Sequence, residues 1–241
     1  MLGILIMLLV SCLLLRWTGD LENITFYLPG KVSAAQFCLG VLWPIIYYCG
    51  FEFLLGFLVK NPFVLNPDYS WPKFFAGLAY IAKSVAFEEL AFRGALFYLL
   101  WKKLGAGWAM AISASCFGIY HWFSWGALGS PVKMVMIFFS TASMGAVLGY
   151  GLVRTRSMYL PIALHLGLNL STMLIFSHDQ GLGKQLLVKA LEIDGAVPAG
   201  YIGLPMLVVH FIGFQLLTFL FLRWYTKTHR KNDLAKGGAG R

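Results

Sequence analysis

Charge is what this 241-residue chain has least of. Asp, Glu, Lys and Arg together make up 12% of it, against 59% hydrophobic residues. A soluble domain carries about 25% charged residues. Half that share cannot cover a water-facing surface, so an ordinary cytosolic enzyme and a disordered chain are both excluded. Cysteine is also scarce. Cys12, Cys38, Cys49 and Cys116 lie in apolar runs without metal-ligand spacing, which excludes a disulfide scaffold and leaves them as small hydrophobes. No internal repeat and no low-complexity stretch is present. The apolar stretch Met1–Leu15 has neither a basic leading region nor a small-residue cleavage site, so it reads as a retained first helix rather than a signal peptide.

What is present is a series of long apolar runs, and the mean hydropathy is +0.73. Runs of 18 or more apolar residues are candidate membrane spans. The expected fold is all-α: a polytopic transmembrane bundle of about seven spans. These are Met1–Leu15, Val32–Val59 (kinkable at Pro44), Pro72–Trp101, Gly107–Trp125, Val132–Val153, Ser157–Phe176 and Tyr201–Leu222. A split of the third run, or an added half-helix, makes eight. Residues 1–222 form one transmembrane domain in this reading, and 223–241 form a basic tail. Between the last two spans, Gly183–Glu192 has apolar residues at helical spacing and is expected as a surface amphipathic helix.

The net charge is +9, and its placement reports topology. Arg223, Lys227, Arg230, Lys231, Lys236 and Arg241 mark the tail as cytoplasmic by the positive-inside rule. Alternation then puts twelve basic residues inside and five outside, with Lys83 and Arg93 left at membrane depth. The tail has aromatics only at Trp224 and Tyr225, a poor base-stacking surface, so no nucleic-acid partner is expected. The expected location is a cell (inner) membrane.

Ionisable groups at membrane depth are costly and by default functional. The third run holds Lys83, Glu88, Glu89 and Arg93. Glu89 and Arg93 are four apart, share a helix face and can pair. Glu88 projects about 100° from Glu89 and is left without a local partner. An unpaired carboxylate in low dielectric is a candidate general base. The bland alternative is a structural ion-pair knot, which accounts for Glu89 and Arg93 better than for Glu88. His121 in the fourth run, and His165 with Asn169 in the sixth, would singly be helix-packing polar groups.

Depth joins them. At 1.5 Å per residue, Glu88 lies roughly 21 Å from Lys102, His121 roughly 21 Å from Gly107, and Asn169 and His165 about 20 and 14 Å from Arg156. One carboxylate, two imidazoles and one amide therefore fall near one level on three helices. A polar cavity at mid-membrane is expected there.

These residues carry a resemblance. Glu88-Glu89-Leu-Ala-Phe-Arg93 reads EExxxR, Phe117-Gly-Ile-Tyr-His121 reads FxxxH, and His165-Leu-Gly-Leu-Asn169 reads HxxxN. In this order, on separate apolar runs, they resemble the CAAX-protease and bacteriocin-processing (Abi) family of intramembrane glutamic endopeptidases. The resemblance covers roughly Pro72 to Ser177. It implies an enzyme that hydrolyses a peptide bond of a membrane-associated protein or peptide, without a cofactor. By resemblance, Glu88 is the base that activates water with His121 sharing the task, His165 and Asn169 form the oxyanion site, and Glu89 and Arg93 are the supporting pair.

Three alternatives stay open at this level. Zinc held by Glu88, His121 and His165 is conceivable, although no HExxH is present and Asn is a poor zinc ligand. A transporter would favour inverted repeats, and a non-catalytic adaptor would be expected to lack one of the four polar residues. Outside the motifs, Glu52 either lines a substrate cavity or makes a helix contact near Pro44. His210 reads as an interhelical histidine, and Gly145-Ala-Val-Leu-Gly149 as a close-packing motif.

Overall fold

The computed structural model describes residues 2–21, 34–176, 186–190 and 208–238, with side chains through 228 apart from that of residue 211. The elements are α1 (Leu2–Trp17), α2 (Ala34–Leu58), β1 (Phe63–Leu65), α3 (Trp71–Arg93), α4 (Ala95–Leu104), α5 (Ala106–Ser124), α6 (Pro131–Thr155), α7 (Tyr159–Leu170), β2 (Leu187–Lys189) and α8 (Phe214–Gly238). A π-helical turn, Ser171–Ile175, prolongs α7, and another, Val209–Gly213, precedes α8. The chain is thus mostly helical, as the apolar runs imply. Proline sets two starts: Pro72 and Pro131 sit in the first turns of α3 and α6, where a missing N–H costs no hydrogen bond. Arg156, in the left-handed conformation at φ 52°, ends α6.

Among the described residues, α2 and α6 are long and apolar enough to cross a membrane, and α1 and Tyr159–Ile175 are shorter apolar helices. The polarity of the fold is inverted relative to a soluble protein. Leu2, Leu5, Ile6, Leu9 and Leu13 of α1 point outward, while Glu52, Glu89, Arg93 and His165 are buried. In water such an outer surface would be an aggregation hazard; against lipid it is the solvated side.

Two expectations are corrected. The third run is not one helix. It breaks at Gly94, whose ψ of −149° leaves the helical region, and a Cβ there would strike the Leu90 carbonyl. The run therefore divides into α3 and α4. The segment expected as an amphipathic surface helix instead contributes β2, which pairs antiparallel with β1 through Phe63 with Lys189, Val64 with Val188 and Leu65 with Leu187. Short apolar runs fit either period, and a distant partner decides. The Lys189 ammonium lies 3.7 Å from the Phe63 ring centroid and 3.5 Å from the Asn61 carbonyl. The remainder of that expected helix and the first part of Tyr201–Leu222 lie outside the described residues.

Helices α5 and α6 form an antiparallel hairpin, and α2 lies against α7. The latter approach is backbone to backbone: a Cβ at Gly167 would enter the Val41 carbonyl, and one at Gly40 would come 2.7 Å from Ala163 Cβ. Three apolar clusters fill the seams. One joins Tyr48, Leu148, Leu164 and Phe214, a second Phe97, Ala109 and Leu152, and a third Ile81, Val85 and Leu174. Helix α1 runs alongside α3 and α4 in the same direction, with Gly3 near Phe87 at one end and Asp20 against Tyr98 and Lys102 at the other.

The Asp20–Lys102 contact closes that end. Lys102 Nζ donates to Asp20 Oδ1 at 2.8 Å and to Oδ2 at 2.9 Å. This bond holds the Asp20 carboxyl below its ordinary 3.8 and raises the Lys102 ammonium above its ordinary 10.5. A depressed acid contributes stability above its unfolded pKa and loses it as pH falls through the folded value; a raised base contributes below its unfolded pKa and loses it above. Asp20→Asn should therefore melt below the parent between about pH 4 and 10. The two melting curves should converge in stronger acid. A melting difference unchanged down to pH 2 would show that Asp20 acts by some means other than its charge.

Candidate active site

Four helices supply one buried polar cluster. Helix α3 ends in the turn that bears Glu88, Glu89 and Arg93, α5 brings Phe117 and His121, α6 brings Gly145, and α7 brings His165 and Asn169. The sequence produces this by placing polar residues three or four apart on otherwise apolar helices, so that each helix has one polar face and packs the rest.

At the centre stands Glu89, fully buried. Its Oε1 accepts from Arg93 Nη1 at 3.3 Å, the expected pair one turn on. The same oxygen accepts from His165 Nδ1 at 2.8 Å, across 76 residues of chain. Arg93, also fully buried, donates Nη2 to the Gly145 carbonyl at 3.3 Å. Its guanidinium carbon lies 4.3 Å from the Phe117 ring centroid, a cation–π distance. The Gly145–Gly149 stretch is close-packing, as expected, and Gly145 has a further reason to be glycine. A Cβ there would sit 3.2 Å from Arg93 Nη2, from Ala114 Cα and from Phe117 Cδ1.

Glu88 faces the other side of the same imidazole. Its Oε2 lies 3.6 Å from His165 Nε2, an ion-pair distance too long for a direct hydrogen bond. The sequence left Glu88 without a local partner, and this is corrected: Ser84, one turn back, donates its hydroxyl to Glu88 Oε1 at 3.0 Å. The i, i+4 rule that linked Glu89 to Arg93 links these two as well. His165 thus lies between two carboxylates on adjacent residues, with Nδ1 held by one and Nε2 turned towards the other.

His121 is buried, and its Nδ1 lies 2.8 Å from the Phe117 carbonyl. A carbonyl only accepts, so Nδ1 carries the proton and Nε2 of the neutral ring presents its lone pair. Phe117 spaces the two imidazoles, with its ring centroid 4.5 Å from His121 and 5.9 Å from His165. Tyr120 and Trp125 flank His121 edge-on at 5.3 and 5.0 Å. Asn169 is half-buried one turn after His165 on the same face of α7 and makes no side-chain hydrogen bond among the described residues. Ser113 Oγ donates to the Phe92 carbonyl at 2.6 Å, fastening α5 to the end of α3.

The structure brings Glu88, Glu89, Arg93 and His165 into direct contact. His121 is joined to them through Phe117, and Asn169 stands at the edge. Sequence reasoning missed Ser84 and the Glu89–His165 bond. Among the described residues no three His, Cys, Asp or Glu side chains are grouped to hold a metal ion. The remaining polar groups fall elsewhere. Buried Glu52 on α2 acts electrostatically on Lys189 of the ribbon, whose ammonium burial pushes below its ordinary value while Glu52 opposes the shift. His210 packs on the rings of Phe51 and Tyr48 at 5.4 and 6.1 Å, as an interhelical histidine does.

Residues 70–171, the stretch that holds all three motifs, match the family model described as type II CAAX prenyl endopeptidase Rce1-like. This is the CAAX-protease family that the motifs resemble. No curated protein and no solved structure gives a significant match to the chain.

Removing one partner of a buried ion pair strands the other, at a cost of about 3–5 kcal/mol. Glu89→Gln should therefore lower the free energy of unfolding, extracted from denaturant titrations in detergent, by an amount in that range. The double change Glu89→Gln with Arg93→Met should recover part of the loss, because no charge is then left unpaired. Equal midpoints for Glu89→Gln and the parent would remove the pair from its structural role.

Proposed function

We propose, on the footing that residues 70–171 belong to the Rce1-like CAAX endopeptidase family, that this protein is an integral-membrane glutamic endopeptidase. Its substrate is a membrane-associated protein or peptide, and its base is Glu88. The observation that carries the reading is the meeting of Glu88 and His165, 3.6 Å apart on different helices, with Glu89 holding the far nitrogen of the same ring. A structural ion-pair knot needs Glu89 and Arg93 and has no use for a second carboxylate turned to the far side of the histidine.

The chemistry follows from the donors and acceptors present. Glu88 takes a proton from water, and His121 Nε2 accepts the water's second hydrogen and fixes its orientation. The oxygen of the water attacks the scissile carbonyl carbon. The oxyanion that forms is met by His165 Nε2–H and the Asn169 amide, the positioned donors such a transition state requires. Glu89, bonded to His165 Nδ1, fixes the ring's orientation so that Nε2 is turned away from it, towards Glu88. When the C–N bond breaks, the proton on Glu88 passes to the leaving amine, giving one new carboxyl and one new amino terminus.

The family and the outward apolar surface support membrane embedding. The finer topology is part of the same proposal: about seven spans, a single domain over 1–222 with its motif core at 72–177, and a cytoplasmic C-terminal tail in a cell (inner) membrane. That Asp20 and Lys102 meet, bringing the Arg16 end of α1 to the Lys102 end of α4, accords with one basic side. A polar cavity between α3, α5 and α7 would admit water.

The test is cleavage of a reporter peptide by the purified chain in detergent, with and without a strong chelator. Glu88→Gln should abolish hydrolysis, because an amide takes no proton from water. Asn169→Ala should lower the rate by on the order of 10²–10³, the loss for one oxyanion donor. Chelation should leave the rate unchanged. Activity lost to the chelator and restored by zinc, with zinc lost in His121→Ala or His165→Ala, would replace the glutamic mechanism with a metal one.

A further inference from the structure

Inside a helix with an apolar surround, a serine or threonine hydroxyl has a default partner, the carbonyl one turn back. Thr141 donates to the Ile137 carbonyl in this way, Thr155 to Gly151, Ser171 to Gly167 and Thr226 to Leu222, all at 2.7–2.8 Å. Ser84 does otherwise. Half-buried on α3 beneath Gly3 and Ile4 of α1, it turns its hydroxyl forward and donates to Glu88 Oε1 at 3.0 Å. A hydroxyl has one proton to give, so this bond is made in place of the one to its own backbone.

The carboxylate so held has no second hydrogen bond among the described residues. Its other oxygen, Oε2, stops 3.6 Å from His165 Nε2, beyond hydrogen-bond length. That gap is informative. With Nε2 in the donating form that the proposed mechanism uses, a carboxylate and an imidazole in a low-dielectric interior gain by closing to about 2.7–2.9 Å. Here one oxygen is tethered to the preceding turn of its own helix, and the other does not reach the ring. The tether also distinguishes the two oxygens. Oε1 already accepts a hydrogen bond and is the weaker base, whereas Oε2 is open to a proton from water. Once protonated on Oε2, the neutral acid keeps Oε1 as a carbonyl oxygen that still accepts from Ser84. One bond thus serves both states of the group.

We propose that Ser84 is a positioning residue: by holding Glu88 Oε1 it keeps the carboxylate from closing onto His165 and makes Oε2 the basic atom. This rests on the endopeptidase reading above. Ser84 takes no part in bond breaking and acts through Glu88. Without it, Glu88 swings to His165, spends its basic oxygen on the ring and draws Nε2 away from the oxyanion.

The experiment uses the full chain in detergent and two readouts, cleavage of the reporter peptide and the infrared carboxyl stretch of Glu88. The stretch is isolated by subtracting the spectrum of the same protein carrying Glu88→Gln. Ser84→Val and Ser84→Thr have the same shape, and only the second keeps a hydroxyl. Ser84→Val should lower kcat by at least about tenfold, the scale of one hydrogen bond to a charged group, with KM unchanged, and should shift the Glu88 band. Ser84→Ala should match it, so that the loss does not depend on the fit of the larger side chain. Ser84→Thr should hold kcat above the Ser84→Val value and keep the band nearer the parent's. A kcat in Ser84→Val equal to the parent's, a loss confined to KM, equal losses in the Val and Thr variants, or a band that does not move would overturn the positioning role and leave the endopeptidase reading standing. A band that moves in Ser84→Val and returns in Ser84→Thr, in a parent that cuts no peptide, would overturn the endopeptidase reading and leave the tether standing.

Discussion

The bond on which the other contacts depend is the one between the Glu89 carboxylate and the His165 imidazole, 2.8 Å long and sealed from solvent. Through Glu89 it reaches Arg93, and through Arg93 it reaches the Gly145 carbonyl and the Phe117 ring. Four helices are thereby tied at one point by groups that none of them could carry alone into a low-dielectric interior. A guanidinium buried without a carboxylate costs several kcal/mol, and so does a carboxylate without its donors. The glycine at 145 and the ring at 117 are the shapes that let the guanidinium fit.

The same bond divides the labour of two neighbouring glutamates. Adjacent residues on a helix point about 100° apart, so one imidazole can be gripped from behind by Glu89 and faced by Glu88. The gripping residue takes both of its bonds on one oxygen, Oε1, from Arg93 and from His165. The facing one keeps one oxygen on Ser84 and leaves the other 3.6 Å from His165 Nε2, without a direct hydrogen bond to it. An ordered ring beside a less constrained carboxylate is what proton transfer needs, and a purely structural cluster would pair both acids alike.

Much of this was legible in the sequence, and the reasons are local. The apolar run Gly107–Trp125 became α5 at Ala106–Ser124, and Val132–Val153 became α6 at Pro131–Thr155, because hydropathy and proline placement act within a few residues. The Glu89–Arg93 pair followed from helical spacing. Ser84 obeys the same spacing towards Glu88 and was overlooked because a serine in an apolar run reads as neutral. The rest required distant partners. No local pattern ties Glu89 to a histidine 76 residues on, and nothing in Leu187–Lys189 announces a pairing with Phe63–Leu65. The division at Gly94 depends on the Leu90 carbonyl, which leaves no room for a side chain once the helix has turned.

The long reach of the central bond bears on how the protein is made. Ribosomes deliver α3 first, with two glutamates, one arginine and two lysines on a single helix, and the histidine that completes the cluster arrives 76 residues later. Until α6 presents the Gly145 carbonyl and α7 presents His165, α3 is a poor candidate for release into lipid. Its insertion is therefore coupled to that of its successors. A nascent protein stopped short of α7 is then a charged, orphaned helix of the kind membrane quality control removes.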